Sequence, residues 1–150
     1  MKFHGMDLRK GRLSEIGRSY LLTTVTQHRM PLFLDFLASR LLVQEMKALD
    51  TTGLTQTWAY VVMPDHLHWL VELNQGDLKS TMQKLKSRSA LQINRYLGSS
   101  GPVWQKGYYD QAVRKDEDLK TLARYVVANP LRAGLVMRIG DYPLWDAAWL

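Results

Sequence analysis

The sequence predicts an α+β fold: an antiparallel sheet with helices packed on one face, in a ferredoxin-like sandwich. Three observations predict it. Stretches of strand character alternate with stretches of helical spacing in the order β-α-β-β-α-(β)-α. Two of the strands are separated only by Pro64-Asp65, so they pair as an antiparallel hairpin. A hairpin flanked by helices is the centre of the ferredoxin-like arrangement.

Taken in order, residues 1–18 form a basic arm. Tyr20 to Thr26 (YLLTTVT) is β-branched and aromatic and reads as a strand. Leu34 to Leu49 carries apolar residues at 34, 37, 38, 41, 42, 46 and 49, a helical spacing, and Thr51-Thr52-Gly53 stops it. Trp58 to Met63 and His66 to Leu73 are the hairpin strands. Residues 78–97 read as a second helix that buries Leu78, Met82, Leu85, Ser89, Ile93 and Tyr96, closed by Gly98. A further strand is expected within Val103 to Val113. Lys115 to Asn129 reads as a third helix, ended by Pro130 because a residue before proline avoids helical geometry. Residues 137–150 are left as a C-terminal tail.

A chain of 150 residues fits one domain with a substantial core. Its apolar runs are far shorter than a membrane span, and no charged-then-apolar leader opens it. Cysteine is absent, which excludes disulfides and thiolate metal sites and fits a reducing cytoplasm. The net charge of +6 and pI near 9.7 favour a polyanion partner, nucleic acid first, while the short apolar runs lead to no membrane partner being expected. The positive charge is clustered. Arg12 and Arg18 stand in the arm, and Lys79, Lys84, Lys86, Arg88 and Arg95 share the stretch 77–97, where Asp77 is the one acid. Such clusters are either solvated faces or phosphate contacts.

Within a strand, residues i and i+2 share a face. His66 and His68 therefore point one way, and the apolar set Leu67, Trp69, Val71 and Leu73 points the other, toward covering helices. The histidine face is expected to be the more open one. Two adjacent imidazoles can each give a nitrogen to one divalent cation, or they can be two half-exposed polar side chains. Two ligands are too few by themselves, so a third group is required elsewhere.

The apolar stripe of the third helix runs through residues 119, 122, 123, 126 and 127, and Tyr125 falls off it. Asn129, four residues on, is its neighbour. Tyr125 is either a surface tyrosine or a hydroxyl kept free for chemistry. Asn129 is either its polar partner or a cap for the turn at Pro130. Tyr108 and Tyr109 are competing hydroxyls if their loop approaches the histidines.

Four segments in this order carry a family resemblance: residues 20–33 (YLLTTVTQHRMPLF), 61–73 (VVMPDHLHWLVEL), 103–119 (VWQKGYYDQAVRKDEDL) and 123–136 (ARYVVANPLRAGLV). They resemble the Y1 transposases of insertion-sequence-200 type, and more closely the REP-associated tyrosine transposases. Residues 142–150 (YPLWDAAWL) resemble that branch's C-terminus. The resemblance implies an HUH metal site on the sheet, filled by His66, Leu67 and His68, with a catalytic helix carrying the nucleophile Tyr125. Asn129 takes the place of the third metal ligand, where relatives often carry glutamine. It also implies Mg²⁺ or Mn²⁺ as the ion, single-stranded DNA with foldback hairpins as substrate, and a monomer or homodimer. The implied activity is cutting and rejoining through a 5′-phosphotyrosine. The alternative is a hairpin-binding protein or repressor without chemistry, and a metal hydrolase that activates water is a further rival.

Overall fold

The structure, a computed structural model, describes residues 14–114 and 116–147. Most of the predicted arm, with Arg12, lies outside the described residues, as do residues 148–150. The described elements are β1 (Ser19–Val25), α1 (Phe36–Thr51), β2 (Thr55–Met63), β3 (His66–Leu73), α2 (Leu78–Leu97), β4 (Tyr109–Ala112), α3 (Asp116–Val127), α4 (Asn129–Arg132) and β5 (Trp145–Ala147). They form a five-stranded antiparallel sheet in the order β4-β1-β3-β2-β5. The first four strands and two helices follow the predicted ferredoxin-like plan, with β3 at the centre.

Alternation along the strands makes two cores. Tyr20, Leu22, Val62, Leu67, Trp69, Val71 and Leu73 face α1 and α2, against Leu42, Met46, Met82 and Leu85. The other face presents Leu21, Ala59, Val61, Met63 and Leu70, and α3 covers it with Ala123, Val126 and Val127. Leu70 is fully buried there. The histidine face is therefore less open than its sequence suggests, because the third helix lies on it while the first two lie behind the sheet. Trp69 is fully buried on β3, and its indole N–H finds the hydroxyl of Thr57 at 2.9 Å, as a buried indole requires.

Several boundaries differ from the sequence reading, each for a local reason. α1 starts at Phe36 because the Asp35 carboxylate caps it, accepting from the amides of Leu37 and Ala38. Leu34 lies before that cap, 72% exposed, in a short 3-10 turn. Tyr96 is exposed rather than buried, and its hydroxyl donates to Asp35. α2 ends at Gly98, whose φ of +64° is the left-handed conformation that glycine adopts freely, with the Ser99 amide returning to the Asn94 carbonyl. The expected strand over 103–113 narrows to Tyr109–Ala112, preceded by one isolated bridge from Trp104 to Thr26. The third helix breaks after Val127, and Asn129-Pro130 opens the short α4, since proline suits a first helical turn. The tail is not without structure: residues 145–147 pair with Ala59, Tyr60 and Val61 as the fifth strand.

Candidate active site

β3 fixes both histidines. Its register sets His68 between Thr23 of β1 and Val61 of β2, and His66 between Val25 and Met63. The two rings meet edge to face with centroids 4.8 Å apart. Each ring is held through Nδ1. His66 Nδ1 lies 2.7 Å from Asp65 Oδ1, and His68 Nδ1 lies 2.8 Å from the Thr23 hydroxyl. An ionised carboxylate accepts only, so the bonded Nδ1 of His66 carries a proton, and in the neutral ring this tautomer leaves the lone pair on Nε2. The Thr23 hydroxyl can accept the same kind of bond from His68. This is the arrangement in which a second layer of groups orients imidazoles for a metal.

The charges agree with that assignment. Burial pushes the Asp65 carboxyl up, but hydrogen bonds from His66 and Arg29 outweigh it and hold the group below its ordinary value. Arg29 Nη1 lies 2.9 Å from the other Asp65 oxygen. His68 is driven down to about 3 by burial first, then by the nearby His66 and Arg132. It stays neutral at physiological pH, with its lone pair available.

α3 presents the remaining groups on the same face of the sheet. Its stripe packs onto Val61, Met63 and Leu70, the neighbours of the histidines. Tyr125, off the stripe, is 48% exposed. The half-buried Asn129 has its side-chain nitrogen buried with no hydrogen-bond partner. A buried N–H group left unpaired is uncommon and calls for an acceptor, while a cation would be met by the amide oxygen. Arg132 of α4 completes the group: its Nη2 donates to the Tyr125 carbonyl at 2.7 Å and its guanidinium stacks 3.9 Å from the centroid of the Tyr125 ring.

Two imidazole nitrogens and an amide suit a divalent cation, so the donor set fits the expected metal. Among the described residues no group of three or more His, Cys, Asp and Glu could hold one. A neutral group such as the Asn129 amide oxygen is one candidate for a third donor.

Other expected site residues lie apart. Lys79, Lys84, Lys86, Arg88 and Arg95 belong to α2, behind the sheet from the histidines. The Lys86 ammonium donates to the carbonyls of Gln105 and Gly107, and Arg88 pairs with Glu45 at 3.2 Å. Arg18 lies at the far end of the histidine face, in a cleft of about 840 Å³ with Trp58, Glu72, Arg114 and Lys120. Tyr108 is buried on the α1–α2 side, which removes it from the histidines. Tyr109 pairs with Thr23 and so shares the histidine face, one strand beyond Thr23 from His68. Asp65, Thr23 and Arg132 were missed in the sequence. Only Asp65, next to His66, carried a local signal.

The family model described as "Transposase IS200 like" matches residues 17–129. A REP-associated tyrosine transposase of Escherichia coli K12 is 29% identical over 87 residues, 57% of this chain and 50% of that protein. A Haemophilus influenzae protein assigned to the same group is 29% identical over 99 residues, 59% of this chain and 56% of its own length. The chain thus spans about half the length of the curated relatives it matches. Among solved structures, that of a REP-associated tyrosine transposase bound to a REP hairpin superposes with a TM-score of 0.74 at 23% identity. The match covers 89% of this chain and 79% of that one, and it bears on the fold alone.

Proposed function

Because the chain belongs to the IS200-like transposase family, we propose that it cuts and rejoins single-stranded DNA near foldback hairpins of REP type, with Tyr125 as nucleophile. The observation that carries this reading is a convergence on one sheet face. Two histidines have Nδ1 fixed and Nε2 spare, and α3 with the adjoining α4 brings an off-stripe tyrosine and an amide with an unpaired N–H group to the same side.

A divalent ion, Mg²⁺ or Mn²⁺, held by His66, His68 and Asn129 would supply Lewis acidity at the scissile phosphate. Asp65 and Thr23 hold the two rings in the ligating tautomer. Tyr125 Oη attacks phosphorus in line. The Oη–P bond forms as the P–O3′ bond breaks, the phenol proton passes to solvent, and the departing 3′ oxygen takes one up. The products are a 5′-phosphotyrosine and a free 3′-hydroxyl. Because the phosphodiester bond is exchanged rather than hydrolysed, a 3′-hydroxyl can attack the adduct and rejoin a strand without a nucleotide cofactor.

The test is covalent capture. The protein is incubated with Mn²⁺ or Mg²⁺ and labelled single-stranded hairpin DNAs, then run on denaturing gels beside Tyr125→Phe. A labelled protein band that needs metal and is lost in Tyr125→Phe is the expected result, with binding of uncut DNA retained by the variant. Bound but uncut DNA throughout would leave a binding module. Cleavage without adduct, spared in Tyr125→Phe, would indicate water as the nucleophile, and an adduct surviving in Tyr125→Phe would direct attention to Tyr109.

A further inference from the structure

Arg132 is a cation that the fold brings against both halves of the site. It stacks on the Tyr125 ring, donates one N–H to the Tyr125 carbonyl, and is close enough to His68 to disfavour its protonation. The break at Asn129-Pro130 is what turns it back: α4 restarts the chain so that a residue seven positions on returns over Tyr125. A guanidinium has five N–H donors in a planar fork. One is used by the Tyr125 carbonyl, and among the described residues no carboxylate pairs with Arg132. An uncompensated guanidinium stacked on the Tyr125 ring and near His68 is arranged for an anion, and its fork matches two phosphate oxygens.

We propose that Arg132 is a catalytic residue: its free N–H groups hold the non-bridging oxygens of the scissile phosphate while its stacked face fixes the Tyr125 ring for attack. This rests on the reading of Tyr125 as nucleophile. No bond forms or breaks at Arg132. It contributes fixed positive charge where negative charge gathers as the phosphate becomes five-coordinate. The plain structural reading is a clamp on the C-terminal end of α3, where arginine commonly binds free carbonyls. The two readings differ over whether charge matters.

The experiment compares wild type, Arg132→Ala, Arg132→Gln and Arg132→Lys with Mn²⁺ and a hairpin-bearing single-stranded DNA oligonucleotide. It reads the single-turnover rate of adduct formation, affinity for the same DNA in a Tyr125→Phe background, and the melting temperature. Glutamine keeps an N–H for the Tyr125 carbonyl but removes the charge. We expect Arg132→Ala and Arg132→Gln to slow adduct formation about 100-fold, with DNA affinity changed far less. Arg132→Lys is expected to fall between, and millimolar guanidinium to restore part of the Arg132→Ala rate. Wild-type rates in Arg132→Gln, or losses that follow melting temperature with no guanidinium rescue, would reduce Arg132 to a clamp. No adduct in the wild type would overturn the assignment of Tyr125, and the role of Arg132 with it.

Discussion

Asp65→Ala is the most direct probe of how the histidines are prepared for metal. The substitution removes the carboxylate 2.7 Å from His66 Nδ1 and its 2.9 Å bond to Arg29. It leaves untouched the Asp65 carbonyl, which accepts from the Thr26 amide at 2.9 Å and the Thr26 hydroxyl at 3.1 Å, so the turn before β3 keeps its backbone ties. Arg29 is largely exposed, and such a pair contributes about 0–1 kcal/mol to stability. The larger effect falls on His66. Without an acceptor on Nδ1 the ring is free to rotate and to place its proton on Nε2. Loss of a group that orients a ligand costs about 10–100-fold in metal affinity or activity, or about 1.4–2.7 kcal/mol. Titrating Mn²⁺ into wild type and Asp65→Ala, with adduct formation as readout, should move the half-saturating concentration up by that factor. Asp65→Asn keeps an acceptor oxygen without the charge and should shift it less. Equal midpoints for wild type and Asp65→Ala would refute the idea that Asp65 sets the ligating tautomer of His66.

Two further predictions concern charge. His68 keeps its proton off down to about 3 in the fold, whereas in the unfolded chain it titrates near 6.5. The unfolded state therefore binds the extra proton first, so stability is full above 6.5 and falls as pH drops, by up to about 1.4 kcal/mol per pH unit. Denaturant melts of metal-free protein between pH 6.5 and 5, above the carboxylate range, should show this slope, and His68→Asn should lack it. The α2 cations lie across the sheet from the histidines, a layer about 10 Å thick compared with a screening length of about 8 Å at physiological salt. The double variant Lys79→Ala/Lys84→Ala should therefore form adduct with a short unpaired oligonucleotide at the wild-type rate to within about twofold. A large loss on the short strand would show that substrate wraps the sheet edge onto α2.

What the sequence disclosed follows from how local each feature is. The histidine pair was legible because a two-residue period decides a strand's faces without any knowledge of its neighbours. The off-stripe position of Tyr125 was legible in the same way from the helical period. The partners of those residues were not. Thr23 reaches His68 only through the pairing of β1 with β3, forty-five residues apart in sequence. Arg132 depends on the break at Asn129-Pro130, which a reader of periodicity takes as a terminus rather than a return. The fifth strand is three residues long and owes its existence to the β2 edge rather than to its own propensity. The basic run of α2 was legible as charge, but its side of the sheet was decided by the packing of Leu78, Met82 and Leu85 against the face opposite the histidines.

The division of labour between sheet and helix has a mechanical consequence on the proposed reading. His66 and His68 sit on the central strand, bonded on both sides, and each ring has its own tether. Tyr125 lies near the end of α3, which rests on the sheet through the modest side chains Ala123, Val126 and Val127, and Asn129 and Arg132 lie on the adjoining α4, tied to it by the Arg132–Tyr125 contact. A covalent intermediate must first admit a phosphate beside Tyr125 and later admit a 3′-hydroxyl from another strand end, so the tyrosine side needs more freedom than the histidine side. Carrying nucleophile, amide and guanidinium on a single unit lets them shift together while the imidazoles stay fixed. The half-exposed Tyr125 follows from the same requirement, because a polymeric substrate has to reach the hydroxyl from solvent.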